Sequence, residues 1–230
     1  MKVLMFDLDG TLTDARRRGA EAMYDTLNHF GVVVSATRIK QLRTQLPSYF
    51  DVLQKLGLEV TDAVVSYLTS AFVQRYRMSV VRKRVKPTLA LLSKKYTLMC
   101  VTSRETAEEV VEELTFHQLA KFFKYIVTRN VAAKHFGLAS IPFFPFHEQR
   151  RKLYQCALAQ SKCLPSDAAV IGDERRELEP ARELGMVTIG IPMRKTRKGE
   201  LQVASDFLIS NMTQLQNVLF DLNKSQLTCH

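Results

Sequence analysis

The sequence predicts an α/β fold, in which a parallel β-sheet carries helices on both faces and an all-helical insertion follows the first strand. Apolar segments of strand length alternate with helical segments over the second half of the chain, a pattern typical of parallel sheets. About seventy residues after the first strand show only helical patterns. The chain has 230 residues, of which 46% are hydrophobic. It is therefore long enough to fill one large core and a second small one.

The first predicted strand covers residues 2–6 and leads directly into two carboxylates, Asp7 and Asp9. Buried carboxylates are costly unless another group compensates their charge. The sequence around this strand therefore predicts a bound cation and a chemical site at its end.

Four helices are predicted in the insertion, at residues 14–30, 35–45, 48–56 and 61–80. The expected N-caps of the last three are Ser35, Ser48 and Thr61, because their side chains accept hydrogen bonds from the first helical turn. The sequence assigns residues 14–84 to this helical domain.

The remaining segments alternate between strand and helix. Strands are predicted at 97–101, 125–128, 168–171, 186–190 and 206–210. Helices are predicted from Pro87, and at 106–115, 148–163, 176–184 and 212–224. Together with the first strand, these segments predict a Rossmann-like core formed by residues 1–13 and 85–230.

Three of the predicted strands end in carboxylate or hydroxyl side chains. The first ends at Asp7 and Asp9, the strand at 97–101 is followed by Thr102 and Ser103, and the strand at 168–171 is followed by Asp173, with Glu177 just beyond. Ligands of open parallel sheets bind at the carboxyl ends of the strands. Carboxylates that converge there repel one another unless a hard cation binds, and an oxygen-only set suits Mg²⁺.

Composition limits the range of partners and compartments. The formal net charge of +10 favours anionic partners, but no nucleic-acid-binding motif accompanies it, so nucleic acid is an unlikely partner. No apolar run is long enough to cross a bilayer, and the N-terminus does not have the pattern of a signal peptide. The four cysteines lack zinc-site spacing and fit a reducing compartment. We expect a cytoplasmic monomer or homodimer.

Three motifs of the chain resemble the haloacid dehalogenase (HAD) superfamily. "FDLDGTLTD" resembles its first motif, "CVTSR" its second and "VIGDERRELEPARELGM" its fourth, in the order of the family. The resemblance covers the whole chain. The helical insertion between the first and second motifs is similar to the C1 cap of phosphoglycolate-phosphatase-like members.

The resemblance implies a phosphatase that acts on a small phosphorylated metabolite through an aspartyl-phosphate. Asp7 would be the nucleophile, and Asp9 would protonate the leaving group and then activate water. Mg²⁺ would be held by Asp7, Asp9 (through its backbone carbonyl), Asp173 and Glu177. The phosphate would be bound by Thr102, Ser103, Gly10 and Lys134.

Two features depart from the family pattern. Glu177 stands where the family usually has Asp. The third motif of the family is usually a Lys-Pro pair shortly before the helix that precedes the fourth motif, and a count back from Gly172 places that lysine at Glu148. The sequence favours Lys134 as the missing cation, with Lys152 second, ahead of Arg150 and Arg151. These departures keep open a catalytically weak or inactive HAD-like binding or regulatory protein. A phosphomutase of the same family is also open, because it uses the same intermediate.

Overall fold

The computed structural model describes residues 1–46, 48–193 and 198–227. The chain divides into two compact units, one formed by Met1–Asp14 and Val81–His230 and the other by Ala15–Val80. We refer to them as the core unit and the helical unit.

The core unit contains a six-stranded parallel sheet with the order β5-β4-β1-β6-β7-β8. Its strands are β1 (Val3–Phe6), β4 (Thr97–Val101), β5 (Tyr125–Val127), β6 (Ala168–Gly172), β7 (Val187–Gly190) and β8 (Phe207–Leu208). Two short strands, β2 (Thr13–Asp14) and β3 (Val80–Val81), form a separate two-stranded sheet. β1 lies in the middle and pairs in parallel with both β4 and β6. The predicted Rossmann-like parallel sheet is therefore confirmed.

Helices cover both faces of this sheet. The helices of the core unit are α5 (Val85–Leu92), α6 (Ala107–Phe116), α7 (Arg129–His135), α8 (Phe146–Ser161), α9 (Arg175–Glu183), α10 (Lys198–Ala204) and α11 (Leu215–Leu227). Side chains alternate along β1, so that Leu4 and Phe6 pack into one apolar cluster and Val3 and Met5 into another. Both faces of the strand are buried, which explains why its sequence is uniformly apolar.

The helical unit is built from α1 (Arg16–His29), α2 (Ala36–Gln45), α3 (Tyr49–Lys55) and α4 (Asp62–Gln74). Ser35, Ser48 and Thr61 cap α2, α3 and α4 as predicted, each accepting a hydrogen bond from the backbone N–H three residues later. The predicted helix over 61–80 was too long, since α4 ends at Gln74.

Other differences concern short elements. α7 and α10 have seven residues each and were not predicted, because segments of this length show hardly two turns of hydrophobic periodicity. The strand predicted at 206–210 is reduced to Phe207–Leu208. Cys100 and Cys156 are buried, and Cys163 is partly exposed; Cys229 lies outside the described residues. Over the described part of the chain, no helix has the length and hydrophobicity that a membrane span requires.

Candidate active site

The three central strands bring the predicted site residues to one edge of the sheet. Register pairs Phe6 with Cys100 of β4 and with Ile171 of β6, so the chain leaves these strands at nearly the same level. Asp7 follows β1 directly, Thr102 follows β4, and Asp173 follows β6. Parallel pairing thus explains why residues that are distant in sequence meet here.

Three carboxylates form a buried cluster at this edge. Asp7, Asp173 and Glu177 each offer a carboxylate oxygen, and these oxygens lie within 4.8 Å of one another. Oδ2 of Asp7 is buried and accepts no hydrogen bond from the described residues. A set of three hard carboxylate ligands fits a divalent cation such as Mg²⁺. Asp9 is not part of the cluster, because its side chain is held elsewhere.

Arg150 of α8 is the cation in contact with Asp7. Its Nη2 donates to Oδ1 of Asp7 at 2.7 Å and to Oε1 of Glu177 at 3.4 Å. Its Nη1 donates to the backbone carbonyl of Val101 at 3.2 Å, at the end of β4. The Arg150 side chain is 6% exposed, so both ion pairs are shielded from water.

The preference for Lys134 is not supported by this arrangement. Lys134 lies on α7 with an exposed side chain, whereas Arg150 shares the buried face of α8 with Leu153 and Tyr154, three and four residues later. Helical periodicity was the signal that distinguished Arg150 from the two basic residues after it, since its spacing to these apolar residues fits the inner face of a helix. Of those two residues, Arg151 is exposed and Lys152 is partly exposed.

Gly10 makes room for Asp173. A Cβ atom at Gly10 would lie 2.2 Å from Oδ1 of Asp173, and the backbone has a φ of +104°. The Gly10 N–H donates to the carbonyl of Thr13 at 2.7 Å, so it is not free for the phosphate contact predicted for this residue. Thr11 donates from Oγ1 to Oδ1 of Asp173 at 3.3 Å. The turn after β1 therefore positions Asp173.

Glu177 contributes to the acidic cluster and also caps α9. Its Oε2 accepts hydrogen bonds from the backbone N–H groups of Asp173, at 3.1 Å, and Glu174, at 3.2 Å. These bonds complete a capping box at the start of α9. Because the side chain is longer than that of Asp, it caps the helix and still brings Oε1 to Arg150.

Thr102 and Ser103 follow β4 at the same edge. Thr102 is buried, and its Oγ1 accepts a hydrogen bond from the backbone N–H of Arg104 at 3.4 Å. Oγ of Ser103 is buried and has no hydrogen-bond partner within the described ranges. Buried hydroxyl groups in proteins are nearly always hydrogen-bonded, and a phosphoryl oxygen would satisfy this one.

Asp9 and Arg104 form an ion pair beside the cluster. Nε of Arg104 donates to Oδ2 of Asp9, and Nη2 donates to Oδ1, both at 2.9 Å. Nη2 also donates to Oε2 of the buried Glu113 on α6 at 3.1 Å. Neither Arg104 nor Glu113 was identified as a site residue from the sequence. The available signal in the sequence was the spacing of Glu113 from Val110 and Leu114, which places this glutamate on the apolar face of the helix.

Burial dominates the electrostatics of the acidic cluster. It raises the pKa of Asp7 to about 6, although Arg150 acts in the opposite direction. Burial, followed by repulsion from Asp7, raises the pKa of Glu177 well above its ordinary value. The ionised carboxylates are therefore costly to bury, and a divalent cation would offset that cost.

Comparisons with known proteins identify the family. The model of the haloacid dehalogenase-like hydrolases matches residues 4–191. The chain is 24% identical to the pyrophosphatase PpaX of Anoxybacillus flavithermus over 95% of this chain and 97% of that protein. It is 23% identical to the glyceraldehyde 3-phosphate phosphatase of Pyrococcus furiosus over 100% of this chain and 98% of that protein.

The fold has solved counterparts. A haloacid dehalogenase-like hydrolase, SP0104 from Streptococcus pneumoniae, superimposes with a TM-score of 0.74 at 20% identity, covering 95% of this chain and 98% of that one. The family match spans the strands that carry Asp7, Thr102 and Asp173. The chain therefore belongs to the haloacid dehalogenase-like hydrolase family.

Proposed function

We propose that this protein is a Mg²⁺-dependent phosphomonoester hydrolase that acts on a small phosphorylated metabolite through an aspartyl-phosphate intermediate. The observation that carries the proposal is the environment of Asp7. This carboxylate is buried between the guanidinium of Arg150 and two further carboxylates, yet its Oδ2 accepts no hydrogen bond from the described residues. An oriented carboxylate with a free oxygen is suited to nucleophilic attack.

Asp7 and Asp9 share the chemistry in this proposal. Asp7 Oδ2 attacks phosphorus, and Asp9 gives a proton to the departing oxygen; Asp9 then takes a proton from the water that hydrolyses the aspartyl-phosphate. Arg150 stabilises the carboxylate of Asp7 and the charge that develops on the phosphoryl group. Ser103 and Thr102 donate hydroxyl hydrogen bonds to the phosphoryl oxygens.

Asp7, Asp173 and Glu177, with the backbone carbonyl of Asp9, would hold Mg²⁺. When bound, the ion offsets the negative charge of the nucleophile and the phosphate, which otherwise repel each other. The helical unit occupies the position of the C1 cap in the order of the chain, and we propose it as that cap.

The relatives favour phosphate hydrolysis over a purely binding role. The pyrophosphatase and the glyceraldehyde 3-phosphate phosphatase are both named for the hydrolysis of small phosphorylated molecules. The sequence features that favour an inactive binding protein are the missing third-motif cation, Glu177 in place of Asp, and the basic surface. Arg150 supplies a cation at Asp7, so the first of these arguments for inactivity loses its basis.

The test is phosphate release from p-nitrophenyl phosphate by the wild type and by Asp7→Asn, each with Mg²⁺ and with EDTA. We expect turnover that requires Mg²⁺ and disappears in Asp7→Asn. Arg75→Lys, a change in an ion-paired arginine of the helical unit, is the matched control and should retain turnover. Metal-independent turnover, or turnover that survives in Asp7→Asn, would refute the proposed mechanism. A screen of phosphorylated metabolites follows, in which a rearranged product in place of free phosphate would indicate a mutase.

A further inference from the structure

The contact between Arg104 and Asp9 has the geometry of a two-pronged hydrogen-bonded ion pair. Nε and Nη2 of Arg104 each donate to a different oxygen of Asp9, at 2.9 Å. Such a planar pair fixes the orientation of a carboxylate as well as its position. The Arg104 side chain is 6% exposed and the Asp9 side chain 25%, so Asp9 is the member of the pair that is more accessible to solvent.

Glu113 holds Arg104 from the opposite side. Its carboxylate is 0% exposed and lies 3.1 Å from Nη2 of Arg104. Buried ion pairs add little stability compared with apolar side chains of similar size, because removing both charges from water is costly. An arrangement that fixes the side chain of Arg104 is therefore better explained by what Arg104 does for Asp9 than by stability.

We propose that Arg104, supported by Glu113, is a positioning residue that orients the carboxyl group of Asp9 for proton transfer to the leaving group. The inference rests on the proposed function. As the bond from Asp7 Oδ2 to phosphorus forms, the bond from phosphorus to the leaving oxygen breaks, and its electron pair takes the proton from Asp9. The Asp9 carboxylate that remains accepts hydrogen bonds from Nε and Nη2 of Arg104, and it is then oriented to accept a proton from the attacking water.

This role predicts a specific kinetic signature. Proton donation matters most when the leaving group is a poor one, so misplacing Asp9 should slow the release of poor leaving groups more than that of good ones. The value of kcat/KM measured with Mg²⁺ for a series of substituted phenyl phosphates reports this step, because it is set by events up to formation of the aspartyl-phosphate. The series is run on the wild type, Asp9→Asn, Arg104→Lys and Glu113→Gln.

We expect the dependence on leaving-group pKa to be shallow in the wild type and steep in Asp9→Asn. Arg104→Lys keeps the charge but loses the two-pronged contact. Its kcat/KM should fall by about 10- to 100-fold for the poorest leaving group and by much less for p-nitrophenyl phosphate. Glu113→Gln should shift the dependence in the same direction by a smaller amount. Arg75→Lys is the matched control and should keep the wild-type dependence.

Two outcomes separate the two proposals. If the wild type releases no phosphate, the proposed function fails. If Asp9→Asn steepens the dependence while Arg104→Lys lowers kcat/KM equally for every substrate or leaves it unchanged, the positioning role of Arg104 is refuted. Should Arg104→Lys be unfolded by circular dichroism, the double variant Arg104→Gln with Glu113→Gln removes both buried charges together, and its leaving-group dependence decides the question in the same way.

Discussion

Arg150 sets the charge balance at Asp7, the proposed nucleophile. It is the cation in contact with Asp7, at 2.7 Å, and it also reaches Glu177 and the end of β4. A lysine at this position would supply one point charge, whereas the guanidinium joins two carboxylates and a carbonyl through a planar set of donors. The site thus obtains its cation from the inner face of α8, two residues after the position where a count along the family pattern places it.

Replacement of this cation should abolish most of the activity. We expect Arg150→Ala to lower kcat by at least about 100-fold, because the phosphoryl charge loses its buried partner. Lys134→Ala removes a charge from the exposed surface of α7 and should leave kcat unchanged. Phosphate release from p-nitrophenyl phosphate measures both. The reverse order of effects would mean that Lys134 supplies the functional cation.

The turn after β1 offers a second test at the scale of one residue. Gly10→Ala places a methyl group against the carboxylate of Asp173, so we expect kcat to fall by about 100-fold as Asp173 is displaced. Gly31→Ala is the matched control, since Gly31 also has a positive φ, +76°, but no atom within 4 Å of its added Cβ. It should cost about 1–2 kcal/mol of stability from backbone strain alone and leave kcat intact. Equal kinetic effects of the two changes would show that space at Asp173 is unimportant.

The sequence predicted the residues at strand ends better than their partners. Asp7, Thr102 and Asp173 are placed together by strand pairing, and each follows an apolar segment that is recognisable from its composition. The contacts of Arg104 with Asp9 and of Arg150 with Asp7 join residues that are 95 and 143 positions apart in the chain. No local pattern specifies such a partner, so helix faces and burial had to be known first.

At the scale of elements, α1 and the end of α4 are joined by a buried arginine. Arg18 of α1 is fully buried and donates to the last-turn carbonyls of Phe72 and Val73, the second at 3.0 Å. Its guanidinium also lies over the ring of Phe72, 4.2 Å from the centroid. Carbonyls at a helix C-terminus lack partners within the helix and favour cations. This tertiary contact was not visible in the sequence, which extended α4 by six residues to residue 80.

This contact should be important for the stability of the helical unit. We expect Arg18→Ala to lower the free energy of unfolding by about 3 kcal/mol, because the carbonyls of Phe72 and Val73 lose a charged donor and a cavity remains. Arg17→Ala, on the exposed side of the same helix, should change it by less than about 0.5 kcal/mol. Urea unfolding followed by far-ultraviolet circular dichroism compares the two. Similar losses would show that Arg18 contributes only a general effect of charge.

At the scale of the whole molecule, the acidic cluster belongs to a strongly basic chain. The formal net charge is +10, yet three carboxylates are buried together at the edge of the central sheet. A positive molecule attracts anionic substrates over long distances. The burial of the carboxylates, however, is a cost that the folded protein carries whenever Asp7 is ionised without a metal.

That cost predicts how the stability of the metal-free protein depends on pH. Burial raises the pKa of Asp7 from 3.8 to about 6, so the folded protein takes up a proton there before the unfolded chain does. Stability relative to Asp7→Asn should therefore increase as the pH falls, by about 1 kcal/mol between about pH 7 and about pH 5. Urea unfolding of both proteins in EDTA measures the difference in their free energies of unfolding at each pH. The titration of groups outside the cluster affects both proteins alike and therefore cancels from this difference. A difference that is constant with pH, or that changes in the opposite direction, would mean that Asp7 is not destabilised by its burial.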